Sequence, residues 1–160
     1  MPNWPVNDHA HPEKRGSKRV RAADAVCEGT VRDKVADRQR ILVVEDDFFV
    51  SLEMESALTE AGFAVLGPAN TAEEAERYAV DQRPDLIVMD IRLLSRRDGV
   101  EAALAIFRAT GIRSVFATAH EDPEIRTRAA DAKPLGWIAK PYGMDVLVGL
   151  VRHALKAAKN

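Results

Sequence analysis

The sequence predicts a doubly wound α/β domain, with five parallel strands in the order 2-1-3-4-5 and helices on both faces of the sheet. Three observations predict it. Short unbroken apolar runs have the form of strands buried on both faces: Ile41-Leu42-Val43-Val44, Leu86-Ile87-Val88-Met89, Val115-Phe116-Ala117 and Trp137-Ile138-Ala139. Between them lie segments with helical spacing and helix start and stop residues. The polar residues best suited to chemistry, Glu45-Asp46, Asp90, Thr118 and Lys140, each follow one of those runs.

Residues 41–44 are the first strand. Val50, Met54, Leu58 and Ala61 follow at helical spacing, and Gly62 stops that helix. Residues 63–66 read as the second strand, ended by Gly67-Pro68. Thr71-Ala72-Glu73-Glu74 has the capping-box form and opens a helix running to about Asp81. Pro84 separates it from the third strand, residues 85–89. A polar loop at 92–98 leads to a helix over 99–110, with Gly111 as its stop. Residues 113–117 are the fourth strand. Asp122-Pro123 starts the next helix, which ends by Ala132; proline is tolerated there because the N–H it lacks would have no helical partner. Residues 136–139 are the fifth strand, ended by Pro141. A last amphipathic helix, 144–158, is built on Leu147, Leu150, Val151, Ala154 and Leu155. Right-handed crossovers then leave a doubly wound sheet as the economical arrangement.

At 160 residues, 46% hydrophobic and 30% charged, the chain has the composition of one soluble globular domain. No apolar run approaches the roughly 20 residues that span a bilayer, and the N-terminus lacks a secretory layout, so no membrane association is expected. The single cysteine, Cys27, fits a reducing compartment, and cytoplasm is the expected location. Residues 1–39 read as a flexible basic extension with a cluster at Lys14, Arg15, Lys18, Arg19 and Arg21 and a short helix near 31–38; residues 40–160 are the folded domain. Residues 1–40 carry nine Lys/Arg against six Asp/Glu, a balance of +3 that leaves −5 for 41–160 out of the total of −2. An acidic domain argues against nucleic acid as its main ligand, so no direct DNA binding is expected. His9 and His11 have no partner cluster and Cys27 no neighbouring motif.

In open parallel sheets ligands sit beyond the carboxyl ends of the strands, where strand order reverses. The ends of strands one and three flank that point, so Glu45, Asp46 and Asp90 converge there. Carboxylates that close repel one another unless a cation joins them. Hard oxygen donors without nearby Cys or clustered His favour Mg2+. Lys140 offers a mobile charge for a phosphoryl oxygen, Thr118 a hydroxyl, and an aspartate can act as nucleophile toward phosphorus. Taken singly, each of these residues is an ordinary cap, turn or strand-exit residue. Their joint placement at four strand ends carries the site.

These residues resemble the receiver domain of bacterial two-component response regulators. The resemblance rests on Leu42-Val43-Val44-Glu45-Asp46-Asp47, Val88-Met89-Asp90-Ile91-Arg92-Leu93 with Asp98-Gly99, Phe116-Ala117-Thr118-Ala119-His120, and Ile138-Ala139-Lys140-Pro141-Tyr142. It implies a flavodoxin-like fold with Asp90 as phosphoacceptor. Asp46 and Asp90 would be direct Mg2+ ligands, Glu45 a ligand through water, and the Arg92 backbone carbonyl a further ligand. It also implies Thr118 as switch hydroxyl, Lys140 as phosphate-binding lysine, and a cis bond before Pro141. Trp137 stands where the family usually has a rotating Tyr or Phe, and its bulkier indole is expected to turn less freely. Ala132-Lys133-Pro134-Leu135 departs from the usual Ala-Gly-Ala pattern. Arg92 and His120 occupy positions that tune phosphoryl lifetime in the family.

The expected function is therefore Mg2+-dependent acceptance of a phosphoryl group from a histidine kinase or histidine phosphotransfer protein, in a phosphorelay. The modified domain would switch a surface for a downstream protein target, with a homodimer through the last two βα units as one form. About two residues follow the last helix, so a stand-alone receiver is expected rather than an enzyme. Alternatives are a phosphorylation-independent scaffold, an aspartate-nucleophile phosphotransferase and a nucleotide-binding module. Arg92, where an aspartate-nucleophile enzyme commonly has its general acid, counts against the second alternative. The acidic Glu45-Asp46-Asp47-Phe48, in place of a glycine-rich loop, counts against the third.

Overall fold

The computed structural model describes residues 38–119 and 122–159. Almost all of the expected basic extension lies outside them, with its short helix, His9, His11 and Cys27; so does His120. The elements are β1 (Arg40–Val44), α1 (Phe48–Glu60), β2 (Ala64–Ala69), α2 (Ala72–Gln82), β3 (Leu86–Asp90), α3 (Gly99–Thr110), β4 (Ser114–Thr118), α4 (Pro123–Ala129) with a 3-10 turn at Ala130–Ala132, β5 (Gly136–Ala139) and α5 (Met144–Ala158). The strands are parallel in the order β2-β1-β3-β4-β5, as the sequence predicts.

The apolar runs are continuous because both faces of the sheet are covered. Leu42, Val44, Ile87, Met89 and Phe116 face one core with Ala72, Ala75 and Ala79 of α2 and Val100, Ala103 and Ile106 of α3. The alternate residues Ile41, Val43, Leu86, Val88, Val115 and Ala117 face the other, against Met54 and Leu58 of α1 and Leu147, Val151 and Ala154 of α5. Each fully buried Leu, Ile, Val or Phe contributes about 1.5–3 kcal/mol relative to exposure, far more than any surface ion pair, so these two layers set the geometry on which the polar edge stands. The register aligns that edge: Val44 pairs with Met89, Asp90 with Ala117, and Thr118 with Ala139.

The structure corrects the sequence reading in several places. The second strand does not stop at Gly67-Pro68 but runs through them to Ala69. Proline is tolerated because β2 is an edge strand, where a missing N–H breaks no ladder. Leu66 pairs with Leu42 and Ala69 with Val44, so β2 holds one extra residue there. Gly67 lies at φ +108°, and a Cβ at that position would come within 2.9 Å of the Val43 carbonyl oxygen. The bulge brings the Ala69 carbonyl to the Glu45 N–H at 3.0 Å, fixing the first acidic residue beyond β1.

Strands three and four are shifted one residue onward from expectation, so Asp90 and Thr118 close their strands rather than follow them. Asp85, expected inside strand three, instead accepts from the Arg40 N–H at 2.7 Å. The helix expected to reach Ala132 loosens to 3-10 geometry after Ala129 and ends with Lys133 at φ +48°. At Thr71 only half of the expected capping box forms: Thr71 accepts from the Glu74 N–H, but the Glu74 carboxylate turns to Asn70.

The reciprocal box forms at Asp98 and Glu101, opening α3, where the sequence has the matching Asp-x-x-Glu spacing. Asp98 also accepts from Arg128 of α4 at 2.7 Å, a pair whose arginine side chain is 49% exposed and which therefore adds little. The cap should dominate. Asp98→Ala is expected to cost about 1–2 kcal/mol in urea unfolding, and Arg128→Ala well under 1. Equal losses from the two would show that the ion pair, not the cap, is what matters.

Candidate functional site

Four segments deliver polar groups to the carboxyl edge of the sheet. Glu45 and Asp46 follow β1, Asp90 ends β3, Thr118 ends β4 and Lys140 follows β5. Carboxylate oxygens of Glu45, Asp46 and Asp90 lie within 4.8 Å of one another. The Lys140 ammonium donates to Glu45 Oε2 at 2.7 Å and to Asp90 Oδ2 at 2.8 Å. The second Asp90 oxygen, Oδ1, accepts from the Arg92 N–H at 3.1 Å, and Asp46 Oδ2 accepts from the Leu94 N–H at 3.1 Å. Thr118 is buried, and its backbone carbonyl accepts from the Lys140 N–H at 2.7 Å, which places the lysine at the edge. The Lys140–Pro141 peptide is cis, as the resemblance implies; so is Gly67–Pro68, which the sequence reading did not anticipate.

Trp137 lies in β5 with its indole stacked on Phe116 of β4, centroids 4.7 Å apart, and the Arg126 guanidinium of α4 sits 4.9 Å from its ring centre. Gly99, a helix start and half of the Asp98-Gly99 motif in the sequence, presses its backbone against the Asp90 carbonyl: a Cβ there would lie 1.9 Å from that oxygen. Only glycine allows α3 to begin this close to the phosphoacceptor candidate.

Burial pushes the Glu45 carboxyl above its ordinary range; the hydrogen bond from Lys140 opposes this, and the Asp90 charge adds to the rise. For Lys140 burial works against the charged form, but the hydrogen bonds and charges of Asp90 and Glu45 outweigh it and hold the ammonium above its usual value. Burial of its hydroxyl, which has no hydrogen-bond partner among the described residues, pushes the half-buried Tyr142 phenol up to about 12.

The sign for Lys140 follows from linkage. The folded state holds this proton more tightly than the unfolded chain, so the contribution is complete below the unfolded value of about 10.4 and is lost as pH rises through the folded one. Urea-unfolding stability is expected to fall more steeply above about pH 10.5 in the wild type than in Lys140→Met. Matching slopes would mean that the Lys140 contacts contribute nothing to folding.

Three oxygen donors with a lysine at hand, and no Cys or His in the cluster, suit a hard divalent cation rather than zinc. Hard-cation ligands, a buried carboxylate and a neighbouring ammonium at a sheet's switch point are groups with the chemistry to bind a divalent cation and a phosphoryl group. Residues 41–152 match the family model of the response regulator receiver domain, and the chain belongs to that family. Receiver domains are signalling domains of two-component systems; they bind Mg2+ at an acidic pocket and interact with histidine kinases and downstream effectors.

The chain is 30% identical over 117 residues to the transcriptional regulatory protein PdtaR of Mycobacterium tuberculosis, a match covering 73% of this chain and 57% of that one. It is 29% identical over 126 residues to the phyllosphere-induced regulator PhyR of Methylorubrum extorquens, covering 78% and 46%. Among solved structures, it is similar to the signal receiver domain of a modulated diguanylate cyclase from Desulfovibrio desulfuricans G20. That match has a TM-score of 0.70 and 34% identity, and covers 77% of this chain and 98% of that one. The chain spans about half the length of the curated relatives it matches. Among the described residues, no helix is long and apolar enough to cross a membrane.

Proposed function

We propose that residues 40–160 form a cytoplasmic receiver unit in which Asp90 accepts a phosphoryl group from the phosphohistidine of a histidine kinase or histidine phosphotransfer protein. An Asp90 carboxylate oxygen attacks phosphorus, the phosphorus–nitrogen bond breaks with its electron pair leaving on the imidazole, and an acyl phosphate forms. Asp46, Asp90, the Arg92 carbonyl and, through water, Glu45 would hold Mg2+. When bound, it would neutralise charge on the transferring oxygens. Lys140 exchanges its Glu45 and Asp90 contacts for a phosphoryl oxygen, and Thr118 turns its hydroxyl to the same group.

The new dianion biases the surface built by the last two βα units toward a downstream protein, with a homodimer through that face as one form. Trp137, stacked between β4 and α4, belongs to this surface as a restrained aromatic rather than a freely turning one. The observation that carries the reading is the Lys140 ammonium bridging Glu45 and Asp90 at 2.7 and 2.8 Å with Asp46 beside them.

Incubation with acetyl phosphate and Mg2+, followed by intact-mass measurement, tests it. The wild type is expected to gain one phosphoryl group, and both Asp90→Ala and wild type with chelator to gain none. An unmodified wild type that still binds Mg2+ would sink the reading in favour of a phosphorylation-independent scaffold.

A further inference from the structure

A second polar feature lies at the opposite edge of the sheet. Gln39, immediately before β1, Arg152, Leu155 and Lys156 of α5, and Lys159, which caps that helix, line a groove of about 270 Å³. The three cations follow helical spacing i, i+4 and i+7, so they form one stripe beside the buried face of α5. Among the described residues, no carboxylate lines the groove and no ion pair to any of the three is found. Arg152 reaches only the Ala61 carbonyl at the end of α1, at 3.4 Å. Leu155 supplies the floor.

Cations near a helix C-terminus are favoured by the helix dipole, which accounts for Lys156 and Lys159. The dipole of α5 falls off within its last turn and does not reach Arg152, which donates instead to the Ala61 carbonyl at the C-terminal end of α1. Nor does it explain why three like charges share one concavity in a region whose net charge is −5. Uncompensated departures from local electrostatic preference are expected where a ligand supplies the missing charge. Arginine and lysine donors around a small concavity suit phosphoryl oxygens. A long nucleic acid would meet the acidic remainder of the domain, whereas a short anion would not.

We propose that this groove binds the phosphate chain of a small anion, either inorganic polyphosphate or a nucleotide, through Arg152, Lys156 and Lys159. The site is separate from Asp90 and does not depend on phosphoryl acceptance.

Amide NMR of the full chain, titrated with sodium pyrophosphate or ATP in chelator, tests the proposal. Three proteins are compared: wild type, Arg152→Gln/Lys156→Gln and Lys140→Met. Expected are saturable shifts at residues 152–159 and Gln39, at least tenfold weaker binding in the double variant, and unchanged binding in Lys140→Met. The substituted side chains are exposed, and an unchanged thermal melt would confirm an intact fold. Equal affinities for the two anions would point to inorganic polyphosphate, and tighter ATP to a nucleotide. Shifts that avoid 152–159, undiminished binding in the double variant, or loss confined to Lys140→Met would each overturn the assignment.

Discussion

Mg2+ at about 100 times its Kd is expected to stabilise the protein by about 2.7 kcal/mol, raising its melting temperature by roughly 10 °C. The cause is electrostatic. Without a cation, three carboxylates lie within 4.8 Å of one another, and the one ammonium beside them pairs with Glu45 and Asp90 but not with Asp46. Glu45, 1% exposed, is held there at the cost of its hydration, which is why burial leads the rise in its pKa. A divalent ion offsets that repulsion only in the folded state, because the unfolded chain does not bring the three together. Asp46→Ala should therefore lose most of the Mg2+-dependent shift while leaving the metal-free melt near wild type. Among the described residues, the Asp46 carboxylate accepts one hydrogen bond, from the Leu94 N–H, worth about 1 kcal/mol. Differential scanning calorimetry with and without Mg2+ reads both numbers. A full shift in Asp46→Ala would place the metal elsewhere.

Gly99→Ala is expected to be among the most damaging single-methyl changes in the chain. Its Cβ would lie 1.9 Å from the Asp90 carbonyl oxygen, 2.9 Å from the Asp90 carbonyl carbon and 3.0 Å from Met89 Cγ. Two of these are backbone atoms of a strand hydrogen-bonded on both sides, so they cannot give way as a side-chain tip would. Overpacking commonly costs about 1–3 kcal/mol, and this contact belongs at or above the top of that range. The relief available is to pull α3 away from β3. That breaks the Gly99 N–H bond to the Ile91 carbonyl, now 2.9 Å, and displaces Asp90. The variant should thus lose both stability in urea unfolding and the Mg2+-dependent shift. Gly149→Ala is the control: it sits inside α5 with no atom within 4 Å of its Cβ, and should gain up to about 1 kcal/mol. A Gly99→Ala protein as stable as wild type would show that the β3–α3 junction is soft.

Much of this architecture was legible in the chain because its signals are local. The apolar runs fixed strand identity, since a strand covered on both faces needs no polar alternation. Gly111, Pro123 and Pro141 marked ends through backbone constraints that operate whatever surrounds them. The misreadings arose where a non-local partner decides. Gly67-Pro68 looks like a strand end, yet it continues as strand because β2 has a neighbour on one side only. Glu74 could close a box on Thr71 but finds the Asn70 N–H instead. The one-residue shift of β3 and β4 follows from pairing register, which no single strand specifies.

The sequence by itself determined the strand–helix alternation that makes a parallel sheet and the residue types at its carboxyl edge, because apolar periodicity and strand-end chemistry are written along the chain. Only the tertiary structure decided that Lys140 Nζ lies between Glu45 and Asp90, that Gly99 is pressed on the Asp90 carbonyl, and that Trp137 is held between Phe116 and Arg126. Those contacts join residues far apart in sequence, and their distances are set by how two buried cores pack the helices against the sheet.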